Sequence, residues 1–149
     1  MKRLSRGLAL AFGLLVLSPA PDAQAGDFWE EVRTPGLRAW RQAMDEAREA
    51  LRNRRFAVAR ARADAAAGVL PDRAEAYAVR GMAAAGEQDY ESAAADLRRA
   101  LALDRTVLDD PLAGYGARAA HALARAGAVA DAVSVLERTL ARMRPGGGR

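Results

Sequence analysis

The hydrophobic and polar pattern of the chain is ordered by small, mostly apolar positions that recur at two spacings, 12 and then 7 residues. The first two triplets lie 34 residues apart, and the third lies 39 residues further on. They are Ala47, Ala59 and Ala66; Gly81, Ala93 and Ala100; and Ala120, Ala132 and Thr139. Seven residues make two helical turns, whereas the step of twelve crosses a turn. Small residues let two antiparallel helices approach closely, so the pattern predicts three helix hairpins.

The last predicted helix has an apolar and a polar face. The apolar face carries Val129, Ala132, Val133, Leu136, Leu140 and Met143. The polar face carries Asp131, Ser134, Glu137, Arg138 and Arg142. We expect the apolar face to pack inward, so that the polar face ends the stack without an additional helix.

Composition agrees with a helical protein. Hydrophobic residues make up 51% of the chain and aromatic residues only 5%, so the apolar mass lies in small side chains such as alanine. Alanine favours helices and disfavours strands. The chain has no cysteine, which excludes disulfides, thiolate metal sites and cysteine nucleophiles. A length of 149 residues fits one domain with an appended segment.

Residues 1–25 have the three-part layout of a secretory signal peptide. Lys2, Arg3 and Arg6 precede an uncharged apolar run over residues 7–17, and small residues lead to a predicted cleavage after Ala25. As a helix, this run would rise only about 16 Å, roughly half of a bilayer's hydrocarbon core. We therefore predict a Sec-exported protein, periplasmic or secreted, with no integral membrane segment after cleavage.

The middle repeat unit, residues 74–107, resembles the tetratricopeptide repeat (TPR) family. The residues that carry the resemblance are Tyr77, Gly81, Tyr90, Ala93, Leu97 and Ala100. They stand where that family has two aromatic residues, a glycine at the helix crossing and the core of the second helix. Arg80 and Arg105 depart from the usual leucine and closing proline. The units at 40–73 and 113–144 have Ala43 and Gly116 where an aromatic residue is expected.

The resemblance implies an all-α, right-handed superhelical solenoid of about three antiparallel helix hairpins over residues 40–144. Before it, residues 26–39 are predicted to form a capping segment that begins with a short helix containing Phe28 and Trp29. The alternative is that this aromatic segment recruits a partner or a second copy of the chain, giving a homo-oligomer. Residues 145–149 are predicted to be a flexible tail.

Five extra residues, 108–112, account for the longer second interval between triplets. Asp109 or Asp110, before Pro111, is predicted to begin the next helix. A calcium loop is the alternative, but the oxygen ligands and downstream glutamate that it needs are missing from the pattern.

Residues suited to catalysis are scarce. His121 is the one histidine, and no Ser/His/Asp set, HExxH motif or phosphate loop is present. The string that begins at Gly114 matches GxGxxA, but it follows Asp-Asp-Pro rather than a strand. Lys2, the one lysine, leaves with the signal peptide, which excludes Schiff-base chemistry. We predict a protein that is not an enzyme and has no cofactor and no metal site.

A basic stripe is predicted on the first helix of the first repeat. It consists of Arg41, Met44, Arg48 and Arg52. By the TPR resemblance, this face looks into the concave groove where partner peptides lie. Matching positions in later repeats include Met82, His121 and Arg125. Because guanidinium groups capture carboxylates in bidentate fashion, an acidic peptide or C-terminus is the predicted ligand. The alternative is that arginine is simply the surface cation of a lysine-free protein.

A second basic cluster surrounds the first hairpin turn, with no acidic residue among its members along the chain. It consists of Arg52, Arg54, Arg55, Arg60 and Arg62. The sequence thus leaves two functions open. The first is a scaffold that binds a protein or peptide in its groove and assists an envelope or secreted complex. The second is an adaptor for an anionic membrane or envelope polymer. Nucleic acid is not a predicted partner, since Phe56 is the one aromatic residue available for base stacking there.

Overall fold

A computed structural model describes residues 32–109 and 114–143. These ranges contain six α-helices and no strand, which confirms the all-α prediction. The helices are α1 (Leu37–Arg52), α2 (Phe56–Val69), α3 (Ala74–Gly86), α4 (Tyr90–Leu103), α5 (Tyr115–Arg125) and α6 (Val129–Met143). Val32 and Arg33 are also helical, while the rest of the predicted capping helix lies outside the described residues, as do the predicted signal peptide and tail.

The six helices pack as three hairpins, in which α1 contacts α2, α3 contacts α4 and α5 contacts α6. Each hairpin also packs on the next one, through contacts of α2 with α3 and of α4 with α5. The first helices of the hairpins meet as well, since α3 contacts both α1 and α5. Helices α1, α3 and α5 therefore form one layer. In the part of the chain that the structure describes, no helix is long and apolar enough to cross a membrane.

The small positions lie where the helices cross. All nine members of the three triplets are buried. A Cβ atom added to Gly81 would lie 3.0 Å from the Leu97 Cγ atom and 3.1 Å from the Ala93 carbonyl oxygen. The backbones of α3 and α4 therefore approach closely at the site that the 34-residue pattern predicts.

Replacing Ala93 by leucine is expected to lower the free energy of unfolding by about 1–3 kcal/mol, because the larger side chain overpacks the crossing of α3 and α4. Urea unfolding followed by circular dichroism measures the change. Ala95→Leu is the matched control, since Ala95 lies exposed on the same helix. Equal stability of the two variants would contradict close packing at this crossing.

The prediction that the large apolar residues of the last helix face inward is wrong. The buried residues of this helix are Ala132, Val135 and Thr139. The large apolar residues of the predicted core face are 40–61% exposed, namely Val129, Val133, Leu136, Leu140 and Met143. Two ion pairs hold the polar side of α6 against the preceding elements, because Asp131 pairs with Arg98 and Arg138 pairs with Asp109. Helix α6 is thus oriented by its small residues and its charges.

The predicted helix start at Asp109 is also wrong. Helix α5 begins at Tyr115, after Gly114 in the left-handed conformation with a φ of 61°. The Asp109 side chain is 3% exposed; it accepts a hydrogen bond from Arg138 Nε at 3.2 Å and lies 3.6 Å from Arg142 Nη2. The inserted segment therefore supplies a buried carboxylate that binds two arginines of α6. Asp110 and Pro111 lie outside the described residues.

Candidate partner-binding groove

A groove of about 810 Å³ lies on the layer formed by α1, α3 and α5. The end of α1 and the turn after it provide one side, α5 provides the other, and α3 lies between them. Its lining residues are Leu51, Arg52, Arg54, Phe56, Met82, Ala85, Gly86, Tyr115, Ala117, Arg118 and His121. The groove thus combines apolar surface with several cationic side chains.

The apolar part of the groove depends on a close contact between Phe56 and Gly86. A Cβ atom on Gly86 would lie within 2.4–2.6 Å of three atoms of the Phe56 ring. Only glycine therefore leaves room for the ring in this position. Tyr115 adds further apolar surface, and Met82, which is 4% exposed, lies beneath it, so side chains of a ligand can be buried here.

The charged part of the groove is cationic. Its lining contains three arginines and one histidine, and none of the described lining residues is an aspartate or glutamate. Arg52 forms an ion pair with Glu49 one turn earlier on α1. Within residues 32–109 and 114–143, neither Arg54 nor Arg118 forms an ion pair. Arg54 belongs to the turn after α1 and Arg118 to α5, so the two residues come from opposite sides of the groove.

The conformation of the first turn places Arg54 at the groove. Arg54 follows the end of α1 and has a φ of 58°, in the left-handed region that few non-glycine residues adopt. The amide of Arg54 donates to the carbonyl of Leu51 at 3.2 Å, and the amide of Arg55 donates to that of Ala50 at 2.8 Å. These bonds close the end of α1 and fix the direction in which the chain leaves it.

Three of the seven predicted partner-binding residues line the groove, namely Arg52, Met82 and His121. Met44 does not, because it is 0% exposed and belongs to the hydrophobic core. The prediction that Met44 contacts a partner is therefore wrong. Its position on the stripe faces the neighbouring helices rather than the solvent.

The other three predicted residues lie outside the groove lining. Arg48 lies 3.8 Å from Asp45 in an ion pair along α1. The Arg125 guanidinium lies 5.1 Å from the centroid of the Tyr90 ring. Arg41 lines a smaller cavity beside Trp40 and Arg73. The predicted basic residues thus lie in different surroundings and do not form one continuous surface.

Arg118 is the one charged residue of the described groove lining that the sequence did not predict, and the apolar contacts Phe56 and Tyr115 were not predicted either. Arg118 precedes His121 by three positions, so the two side chains share a face of α5. Helical spacing from His121 could have identified it. Arg54 was assigned to the anionic-surface cluster and lies instead in the groove lining.

Three of the five arginines in that second cluster pair with acidic residues, and for two of them, Arg60 and Arg62, the partners belong to other elements. Arg60 Nη1 donates to Glu87 at 2.9 Å and to Asp89 at 3.1 Å, and these bonds raise the pKa of Arg60 above its ordinary value. Arg62 pairs with Glu46 at 3.0 Å. Hydrogen bonds from Arg52 and then Asn53 lower the pKa of the Glu49 carboxyl. In the described chain, only Arg54 and Arg55 of the five arginines have no ion pair.

Arg80, which departs from the TPR pattern, joins three helices. From α3 it donates to Asp64 of α2 at 2.5 Å and to both oxygens of Asp96 of α4 at 2.6 and 2.9 Å. The hydrogen bonds to Asp96 are the largest cause of its raised pKa. This cluster lines a second cavity of about 660 Å³, in which Arg60 and Arg80 face three carboxylates. Its paired charges stabilise the stack, and the excess of one carboxylate leaves no attraction for an anionic ligand.

The described residues contain no group of three or more His, Asp and Glu side chains that could hold a metal ion. His121 makes an edge-to-face contact with Tyr90, with the ring centroids 6.2 Å apart. Comparison of the chain with known protein families, with curated proteins and with solved structures finds no match in any of the three. The groove's shape and charge are therefore the basis for assigning a function.

Proposed function

We propose that the protein is a non-catalytic, TPR-like scaffold that binds an acidic peptide segment of another protein in the groove over α1, α3 and α5. The observation that carries this proposal is a groove with three arginines, apolar surface and no carboxylate in its described lining. The three stacked hairpins and their small crossing residues support a repeat solenoid of the TPR type. In a right-handed solenoid of that type, the first helices of the hairpins line the concave side.

Arg54 and Arg118 are the main anchors for the carboxylates of the ligand. Neither has to give up an ion pair within the described chain, so each can donate two parallel hydrogen bonds to a carboxylate. Arg52 contributes by leaving its ion pair with Glu49 and binding a carboxylate of the ligand instead. Apolar side chains of the peptide pack on Phe56 and Tyr115, which contribute contact area, while the arginines select for charge.

The predicted signal peptide places this binding in the periplasm or outside the cell. There the protein would assist the assembly or regulation of an envelope or secreted complex. Such a role needs no catalytic group and no cofactor. Binding should weaken as salt increases, because the arginines are partly exposed.

A pair of synthetic peptides tests the proposal. One fluorescein-labelled peptide contains Asp, Glu and Leu with a free C-terminus, and the other has the same length with Asn, Gln, Leu and a C-terminal amide. We expect fluorescence anisotropy to show at least about tenfold tighter binding of the acidic peptide. The double variant Arg54→Glu/Arg118→Glu should weaken this binding by about tenfold or more, because it removes two charge-assisted contacts and adds repulsion.

The control Arg33→Glu/Arg105→Glu makes the same change in net charge at two exposed arginines outside the groove lining. It should change the affinity less than about threefold, through long-range electrostatics alone. Equal binding of the two peptides would overturn the acidic ligand. Equal losses in the two variants would show that the groove does not hold the peptide.

A further inference from the structure

Helix α6 presents an apolar surface that nothing in the described chain covers. We define the α6 stripe as its five exposed large apolar residues, which are Val129, Val133, Leu136, Leu140 and Met143. Each is 40–61% exposed. A contiguous exposed apolar strip of this kind marks an interaction surface, because an apolar outer face on a repeat stack needs something to cover it.

The spacing of the α6 stripe is that of a helix–helix seam. Its members are separated by 4, 3, 4 and 3 residues, which keeps them on one side of the helix over four turns. On the solvent side, the stripe is flanked by Ala130, Ser134, Glu137 and Ala141, all exposed and mostly small and uncharged. A second helix can therefore approach the stripe closely along its length.

Residues 1–25 are predicted to be removed as a signal peptide, and the other segments outside the described residues fit the α6 stripe poorly. Residues 110–113 are too few to cover a strip about 21 Å long. Residues 144–149 contain Pro145 and three glycines, which disfavour a covering helix. Residues 26–31 precede α1, whose main contacts are with α2 and α3 and not with α6.

We propose that the α6 stripe binds the α6 stripe of a second copy of the chain, giving a two-fold symmetric dimer. A seam with this spacing is matched best by another seam with the same spacing, and every copy supplies one. The interface is independent of the proposed function, because the α6 stripe and the groove share no residue.

The size of the α6 stripe sets the strength of the dimer. A strip about 21 Å long and about one helix wide provides a few hundred Å² from each copy, less than the roughly 800 Å² per partner of a standard interface. The dimer is therefore weak and reversible, with a dissociation constant in the micromolar range or above. Because the contact is apolar, it persists at high salt, in contrast to the ionic binding in the groove.

Sedimentation velocity on residues 26–149, the predicted mature chain, tests this proposal over a range of protein concentrations at low and high salt. We expect a monomer at low concentration and a dimer at high concentration in both salts. Leu140→Glu should weaken the dimer by at least about tenfold, because each copy then buries a carboxylate in the seam. Leu136→Ser is a second variant that should also weaken the dimer.

Val58→Glu is the matched control, since Val58 is a 43% exposed apolar residue on α2, outside the α6 stripe. It should leave the dimer unchanged, and circular dichroism should show that all three variants keep their helices. A monomer at every concentration would overturn the proposal and would leave the stripe to a different partner. A dimer that dissociates in high salt, or that survives both α6 substitutions, would also overturn it.

Discussion

Replacing Leu97 by alanine is expected to lower the free energy of unfolding by about 2–5 kcal/mol, since it removes a fully buried side chain from a closely packed crossing. Leu97 is 0% exposed on α4, and its Cγ atom lies 3.0 Å from the position that a Cβ atom of residue 81 would take. The lost side chain leaves a cavity that two closely approached backbones cannot fill. Urea unfolding followed by circular dichroism at equilibrium measures the loss.

Leu101→Ala is the control for this effect. Leu101 lies on the same helix and loses the same atoms, but it is only partly buried. Leu101→Ala should lower the free energy of unfolding clearly less than Leu97→Ala does. If the two variants lose equal stability, the crossing of α3 and α4 is not the well-packed centre that the burial of Leu97 indicates. In the Leu97→Ala background, Gly81→Ala should be tolerated better than in the original chain, because the added methyl group enters the vacated space.

Replacing Gly116 by alanine is expected to lower the free energy of unfolding by about 3 kcal/mol, at the upper end of overpacking effects. A Cβ atom at this position would lie 2.0 Å from the Thr139 Oγ1 atom and 3.0 Å from the Leu108 carbonyl oxygen. The clash outweighs the roughly 0.5–1 kcal/mol that alanine normally adds over glycine inside a helix. Thermal and urea unfolding both measure the effect.

Two further variants show whether the clash is the cause. Gly68→Ala, on an exposed part of α2 with nothing within 4 Å of the added atom, should raise the stability by about 0.5–1 kcal/mol. In a Thr139→Ala background, Gly116→Ala should lower the stability much less, because the atom at 2.0 Å is gone and only the milder contacts remain, with the Leu108 carbonyl oxygen at 3.0 Å and the Cβ atom of residue 139 at 3.1 Å. If Gly116→Ala lowers the free energy of unfolding as much in that background as in the original chain, the packing of α5 against α6 at this point is contradicted.

The sequence predicted the positions of the hairpins because the residues at each helix crossing have to be small. Ala59 and Ala66, or Gly81 and Ala93, must be small wherever two backbones meet, and that requirement is visible as a period. The sequence could not predict in the same way which face of α6 packs against the stack. This helix contains two competing patterns, the large apolar residues of the α6 stripe and the small residues Ala132 and Thr139. Only the packing against α5 and the pairing of Arg138 with Asp109 decide between them.

The candidate site was predictable where helical spacing alone places a residue. His121 and Met82 follow from the repeat, and both line the groove. Arg54 depends on a turn in which a non-glycine residue has a positive φ, which no pattern of residue types indicates. The neutralisation of Arg60 depends on Glu87 and Asp89, 27 and 29 residues away along the chain. Such pairs between elements appear only once the hairpins are stacked.

The stacking of each hairpin on its neighbour along the chain also determines how the protein folds. The main helix contacts join elements that are adjacent or one helix apart, so no long loop has to close before favourable contacts form. Conformational entropy is then lost in small steps, each compensated by a newly formed hairpin or interface. We expect such a topology to fold rapidly, and we expect a hairpin at one end to unfold while the remainder of the stack stays native.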